Sequence, residues 1–158
     1  MTTVGFSGHQ NLPIAGIDYI TSELTNHLRA VPTPLVGLAS LAAGADQLFA
    51  RLVLRLGGSL RVVIPSDHYM TTFQSNADLA GFHELLRQSS ETRVLDFDSP
   101  SEEAFFAAGR AVVEEADEIL VVWDSLPARG LGGTADVVSY ANIRGKQVTT
   151  VWPAGLRR

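Results

Sequence analysis

The stretch Glu118-Ile119-Leu120-Val121-Val122-Trp123, with Arg129-Gly130-Leu131-Gly132-Gly133-Thr134-Ala135-Asp136 close behind it, decides the reading of this chain. Its first half is a continuous apolar run, the pattern of a strand buried on both faces. Its second half is a glycine-rich joint that opens a helical pattern over Gly132–Arg144. Gly145 stops that helix, and an apolar strand follows at Gln147–Trp152. A strand, a crossover helix and another strand form the unit of a parallel sheet.

The same unit repeats upstream. Thr2–Phe6 is a short apolar strand, and Ile14–Arg29 places Ile17, Ile20, Leu24 and Leu28 at helical spacing before Pro32 and Pro34. Leu35–Ala39 is a second strand. Gly44–Leu56 carries Leu48, Leu52 and Leu56 on one helical stripe and ends at Gly57-Gly58. Leu60–Ile64 is a third strand, cut by Pro65, and Asn76–Gln88 is a helix with Leu79, Phe82 and Leu86 on one face. Arg93–Phe97 forms an extra short strand, and Glu102–Glu115 is a helix capped by Ser99 or Ser101. Residues 66–77 and 124–133 are the long loops. This order predicts an α/β domain over residues 1–158, with a doubly wound, mostly parallel sheet and helices on both faces.

Composition narrows the function classes. The 158 residues are 46% hydrophobic and 18% charged, the balance of a folded chain. Without cysteine there are no disulfides, thiolate metal sites or cysteine nucleophiles. A net charge of −5, from 12 basic and 17 acidic residues, argues against nucleic acid as a partner. No apolar run approaches the roughly 20 residues that span a bilayer. Met1–Gly8 lacks the regions of a secretion signal. The expectation is a cytoplasmic protein with no membrane partner.

In an open parallel sheet, ligands bind beyond the carboxyl ends of the strands. Small and polar residues gather there four times: Ser7-Gly8-His9, Ser40 through Gly44 to Asp46, Pro65-Ser66-Asp67-His68, and Asp124 with Arg129–Asp136. Glycines at Gly130, Gly132 and Gly133 allow close backbone approach, and the helix start they lead into offers free N–H groups to a phosphate. Thr134 adds a hydroxyl and Arg129 a charge. The same glycines also suit a plain strand-to-helix turn. Asp46 either faces a ribose hydroxyl or caps its helix. Ser40 contacts ligand or satisfies loop backbone. His9 contacts phosphate or base, or binds backbone. His27 and His83 read as structural, while His68 could cover a ligand. Tyr69 and Phe73 are the candidates to stack on a base, whereas Trp123, Trp152, Phe105 and Phe106 read as core. The histidines lack a zinc spacing, so no metal is expected. There is no P-loop, no Gly-x-Gly-x-x-Gly after the first strand and no Gly-x-Ser-x-Gly elbow.

Gly5-Phe6-Ser7-Gly8-His9, Ser40-Leu41-Ala42-Ala43-Gly44-Ala45-Asp46, Val62-Val63-Ile64-Pro65 and Gly132-Gly133-Thr134-Ala135-Asp136 occur in this order. Together they resemble the SLOG superfamily of Rossmann-like nucleotide-binding domains, over essentially the whole chain. That group includes LOG-type phosphoribohydrolases, DprA-like DNA-processing proteins and the N-terminal domains of TRPM channels. The resemblance implies a Rossmann-like sheet, a pocket for a nucleotide-derived ligand and a homodimer formed through surface helices. It points to Ser7, Gly8, His9, Ser40, Gly44, Asp46 and Gly132–Thr134 as ligand-binding. One departure bears on catalysis. LOG-type hydrolases carry Gly-Gly-x-Gly-Thr-x-x-Glu, and three residues after Gly133-Thr134 this chain has Val137. Asp136 stands one position earlier, about 100° around the helix. The expected function is therefore a sensor or carrier for a nucleotide-type ligand, with no other cofactor. The alternative is N-glycosidic cleavage in which Asp136 or Asp124 replaces the glutamate and Arg129 orients the phosphate.

Overall fold

The computed structural model describes residues 1–128 and 130–158. The strands are β1 (Thr2–Gly8), β2 (Leu35–Ala39), β3 (Ser59–Ile64), β4 (Glu91–Val94), β5 (Glu118–Val122) and β6 (Val148–Val151). The helices are α1 (Ile17–Ala30), α2 (Ala45–Arg55), α3 (Asn76–Gln88), α4 (Glu102–Glu115) and α5 (Thr134–Ile143), with 3-10 turns at Ile14–Gly16 and Tyr69–Thr72. The strands form one sheet in the order β4-β3-β2-β1-β5-β6, and every pairing is parallel. The chain winds outward from β1 to β4, then crosses back to β5 and β6. The winding reverses between β1 and β5, which makes their carboxyl ends the topological switch point of a doubly wound α/β fold.

Both faces of the sheet are covered. Val4, Phe6, Leu120 and Val122 point to one face, where Ile20, Leu24, Phe49 and Leu52 of α1 and α2 pack on them. Phe82 and Leu85 of α3 continue that layer over Leu60, Val62 and Ile64. The other face carries Ile119 and Val121 under α5, and Leu38 and Val63 under α4. Burial on both sides is why the strands lack polar alternation. The ring of Phe6 stacks on Phe49 at 4.4 Å between centroids, locking β1 to α2.

Helices α3 and α4 have the bounds expected from sequence. Ser75 Oγ accepts the Asp78 N–H at 3.0 Å, and Ser101 Oγ accepts the Ala104 N–H at 3.0 Å. Ser101 is therefore the cap of α4, and Ser99 is not. Such a cap is worth about 1 kcal/mol. The expected strand at Arg93–Phe97 lies earlier, at Glu91–Val94, where it pairs with Arg61–Ile64. All four of its residues are exposed. Arg61 pairs with Glu91 and Glu115, and Arg93 with Glu115, so charge marks this sheet edge and discourages strand addition. Strand β1 runs two residues beyond the expected Phe6, because Ser7 and Gly8 pair with Val121 and Val122 of β5. Helix α5 starts at Thr134, two residues after the expected Gly132. Among the described residues, no helix is long and apolar enough to cross a membrane.

Candidate functional site

A cleft of about 800 Å³ opens over the carboxyl ends of the strands. Its volume suits a small-molecule ligand. Ser7, Gly8, His9, Ser40, Asp46, Gly130, Gly132, Gly133 and Thr134 all line it, so three sequence-distant segments converge there. Gly44, Asp124 and Asp136 are not among its lining residues. Arg129 lies outside the described residues. A second groove, of about 670 Å³ between α2 and α3, is lined by residues such as Arg51, Arg55 and Glu84 and holds none of the sequence-predicted site residues.

The start of α5 is open. Gly132 has φ +89°, and a Cβ there would sit 2.8 Å from the Phe106 nitrogen, so a bare backbone makes this turn against α4. Asp136 reaches back from the first helical turn to accept the Gly132 N–H at 2.9 Å. Among the described residues, no acceptor meets the N–H groups of Gly133, Thr134 and Ala135. These are the donors a helix start leaves unsatisfied, at the positive end of its dipole. Thr134 Oγ1 lies 3.2 Å from Ser7 Oγ, which brings a second hydroxyl from the end of β1. Val137, where the hydrolase pattern places its glutamate, lines the cleft, while the Asp136 carboxylate is turned to Gly132.

A glycine leads into α2 as well, but there the first helical N–H is taken. The first helical N–H, of Ala45, donates to the His9 carbonyl at 3.1 Å. Gly44 has φ +79°, and a Cβ there would lie 2.0 Å from the Gln10 carbonyl oxygen. Gly44 thus permits a backbone crossing and is not among the residues that line the cleft. Asp46 does not cap α2, contrary to one of the two sequence readings. Its Oδ2 accepts the Ala42 N–H at 3.2 Å, so it staples the loop ahead of the helix. Burial pushes its carboxyl up to about 7, against the hydrogen bonds from the Ala42 and Ser40 backbone, which favour the charged form.

His9 is buried and bound into a cluster that sequence reading did not anticipate. Its Nε2 lies 3.2 Å from Asp124 Oδ1 and 3.1 Å from the Asp124 N–H, and its ring meets Trp152 edge-on. Arg158 completes the cluster, with Nε 3.1 Å from Asp124 Oδ2 and Nη1 3.2 Å from His9 Nδ1. Asp124 also accepts the Leu126 N–H. Burial opposes ionisation of Asp124, but the Leu126 N–H, His9 and Arg158 outweigh it and hold the carboxyl below its ordinary range. Arg158 lines the cleft beside His9. No local motif marks Arg158, which reaches the site because β6 lies next to β5.

The aromatic assignments change. Tyr69 is 6% exposed, and Phe73, Phe82 and Phe105 meet its ring edge-on. It and Phe73 line the cleft as parts of a packed aromatic cluster, which leaves the Tyr69 ring no open face for a base. Burial, with the Asp46 carboxylate nearby, pushes the Tyr69 phenol up. Trp123, read from sequence as core, is half-buried and lines the cleft, where its Nε1–H donates to the Leu126 carbonyl at 2.9 Å. His68 is exposed, has φ +61° and forms no part of the cleft wall. His27 is structural, with Nε2 2.6 Å from Glu118 Oε1.

No protein-family model matches the chain, and no curated protein matches it. Among solved structures, the chain is similar to DNA processing protein A (DprA) from Streptococcus pneumoniae, with a TM-score of 0.71 and 18% identity. That match covers 99% of this chain and 52% of the other, so the chain spans about half the length of that protein. DprA from Helicobacter pylori, described with a unique single-stranded DNA binding mode, matches with a TM-score of 0.71 and 14% identity, over 98% of this chain and 67% of that one. The protein TM1055 matches with a TM-score of 0.60 and 18% identity, over 94% and 72%. Sheet order, parallel pairing and these likenesses define the class: an α/β, Rossmann-like domain with the fold seen in DprA. DprA-like proteins belong to the group named by the sequence resemblance, and the likeness is one of fold.

Proposed function

We propose that this domain belongs with the SLOG-type proteins and binds a nucleotide or nucleotide-derived phosphorylated ligand in the cleft, as a sensor or carrier. One observation carries the reading: the open start of α5, with the Ser7 and Thr134 hydroxyls beside it, at the switch point of the sheet. A phosphate would accept from the Gly133, Thr134 and Ala135 N–H groups and from both hydroxyls. Asp46, Asp78 and Glu102 also line the cleft, and their carboxyl groups would suit the hydroxyl or amino donors of a nucleoside. N-glycosidic cleavage has less support, because apolar Val137 lines the wall and Asp136 is occupied by Gly132. A cytoplasmic location and self-association through surface helices are part of the same proposal.

The test is a thermal-shift panel of AMP, ADP-ribose, NAD, cyclic nucleotides, nucleotide-sugars and inorganic phosphate, with each vessel assayed for free base. A ligand held by the folded state at a hundredfold excess over Kd stabilises it by about 2.7 kcal/mol. Stabilisation with intact ligand is expected. Release of base would replace the carrier reading with the hydrolase, and an unshifted panel would overturn the nucleotide cleft.

The fold likeness to a protein described with a single-stranded DNA binding mode favours a second reading, in which this cleft holds single-stranded DNA. The net charge of −5 and the acidic cleft wall weigh against it.

A further inference from the structure

Arg158 stands outside every motif, yet its side chain lines the cleft. Asp46, Asp78 and Glu102 line the same wall, and Arg158 is the one arginine or lysine among the described lining residues. A phosphorylated ligand entering this cleft meets acidic residues, and the permanent counter-charge among the described lining residues is this guanidinium. The side chain is already positioned. Trp152 Nε1–H donates to the Leu156 carbonyl at 2.9 Å, and the Leu156 N–H donates to the Pro153 carbonyl at 3.2 Å, which curls the arm after β6 back over the domain. Leu156 packs against Gly16, where a Cβ would come within 2.5 Å of its Cδ2. At the tip, buried Asp124 and His9 hold the guanidinium through Nε and Nη1.

A guanidinium carries five N–H donors. Two face Asp124 and His9, and among the described residues the Nη2 pair has no partner. An arginine fixed by one part of its fork and uncommitted at another is pre-organised for an oxyanion, because its rotamer freedom is lost before the ligand arrives. We infer that Arg158 is the specificity-determining anion contact of the cleft, carried there by the arm at residues 153–158, and that it selects phosphorylated nucleosides over neutral ones. This inference rests on the nucleotide reading above and adds the residue that sets charge preference. A purely structural Arg158 would neutralise Asp124 and leave ligand preference alone.

The experiment compares AMP with adenosine, by calorimetric titration, on the wild-type chain, Arg158→Ala, Arg158→Gln and Asp124→Asn. Unliganded melting temperatures are taken alongside to confirm that each variant is folded. The readout is the ratio of the adenosine Kd to the AMP Kd. The expected result is a ratio that falls about tenfold or more in both Arg158 variants and falls by clearly less in Asp124→Asn, where the arginine loses part of its hold but keeps its charge. A ratio unchanged in the Arg158 variants, with AMP still bound, overturns this inference and leaves the nucleotide cleft standing. A ratio that collapses equally in Asp124→Asn overturns it in favour of an arm that merely shapes the wall. A wild-type chain that binds neither probe overturns both readings.

Discussion

Asp46 and Asp124 respond to pH in opposite senses, and the reason is their surroundings. Asp46 is pushed up to about 7 by burial, against an ordinary value near 3.9. Between roughly pH 4 and 7 the folded chain therefore holds a proton that the unfolded chain has released. Stability falls as pH rises across that window and stays lower above it. The expected cost is of order a few kcal/mol. Asp46→Asn keeps an oxygen for the Ala42 N–H and removes the charge, so urea unfolding at pH 5 and pH 8 should differ in the wild type and agree in the variant. Equal slopes in the two proteins would refute the assignment. Asp124, held below the ordinary range, has the other sign. It stabilises above the ordinary carboxylate range, and that contribution is lost as pH falls through its folded value.

At the scale of elements, two helix starts led by glycines differ in whether the first helical N–H has an acceptor. The Ala45 N–H is spent on His9, whereas the Thr134 and Ala135 N–H groups face the cleft without an acceptor among the described residues. Thr134→Val keeps the shape and deletes the hydroxyl beside Ser7. It should weaken AMP binding by about tenfold and cost about 1 kcal/mol of stability. AMP affinity equal to wild type would remove Thr134 from the site. Gly44→Ala tests the backbone crossing ahead of α2. The left-handed backbone at φ +79° and the Gln10 oxygen 2.0 Å from the new Cβ should destabilise the fold by about 3 kcal/mol or more. A denaturation midpoint within error of wild type would contradict this packing. The ends of α3 and α4 were legible in sequence because helical periodicity, and for α4 a serine cap, are local signals. The extra two residues of β1 were not, since Ser7 and Gly8 are strand only by pairing with β5.

For the whole molecule, the balance of charge sets an expectation between ligand classes. The chain stands at −5, and among the described residues that line the cleft Arg158 is the one arginine or lysine, short of the basic track that phosphate backbones need. Electrophoretic mobility at low salt should show no shift with single-stranded DNA. A robust shift that salt abolishes would instead favour the DNA reading that the fold likeness raises. The wall of the cleft was partly legible. Ser7, Ser40 and Gly132–Thr134 stood at strand ends in the sequence, and the sheet order gathers them at one rim.

Element types, their order and the glycine joint before α5 could be read from the chain alone. They follow from side-chain periodicity, proline and glycine sterics and capping chemistry, all of which act within a few residues. The open start of α5, the contact of the Ala45 N–H with His9 and the seat of Arg158 against Asp124 and His9 depended on packing. These contacts join residues up to 149 positions apart, and the neighbour order β1-β5-β6 brings them together. Strand order arises from competition among whole faces for burial, so no short stretch of sequence records it.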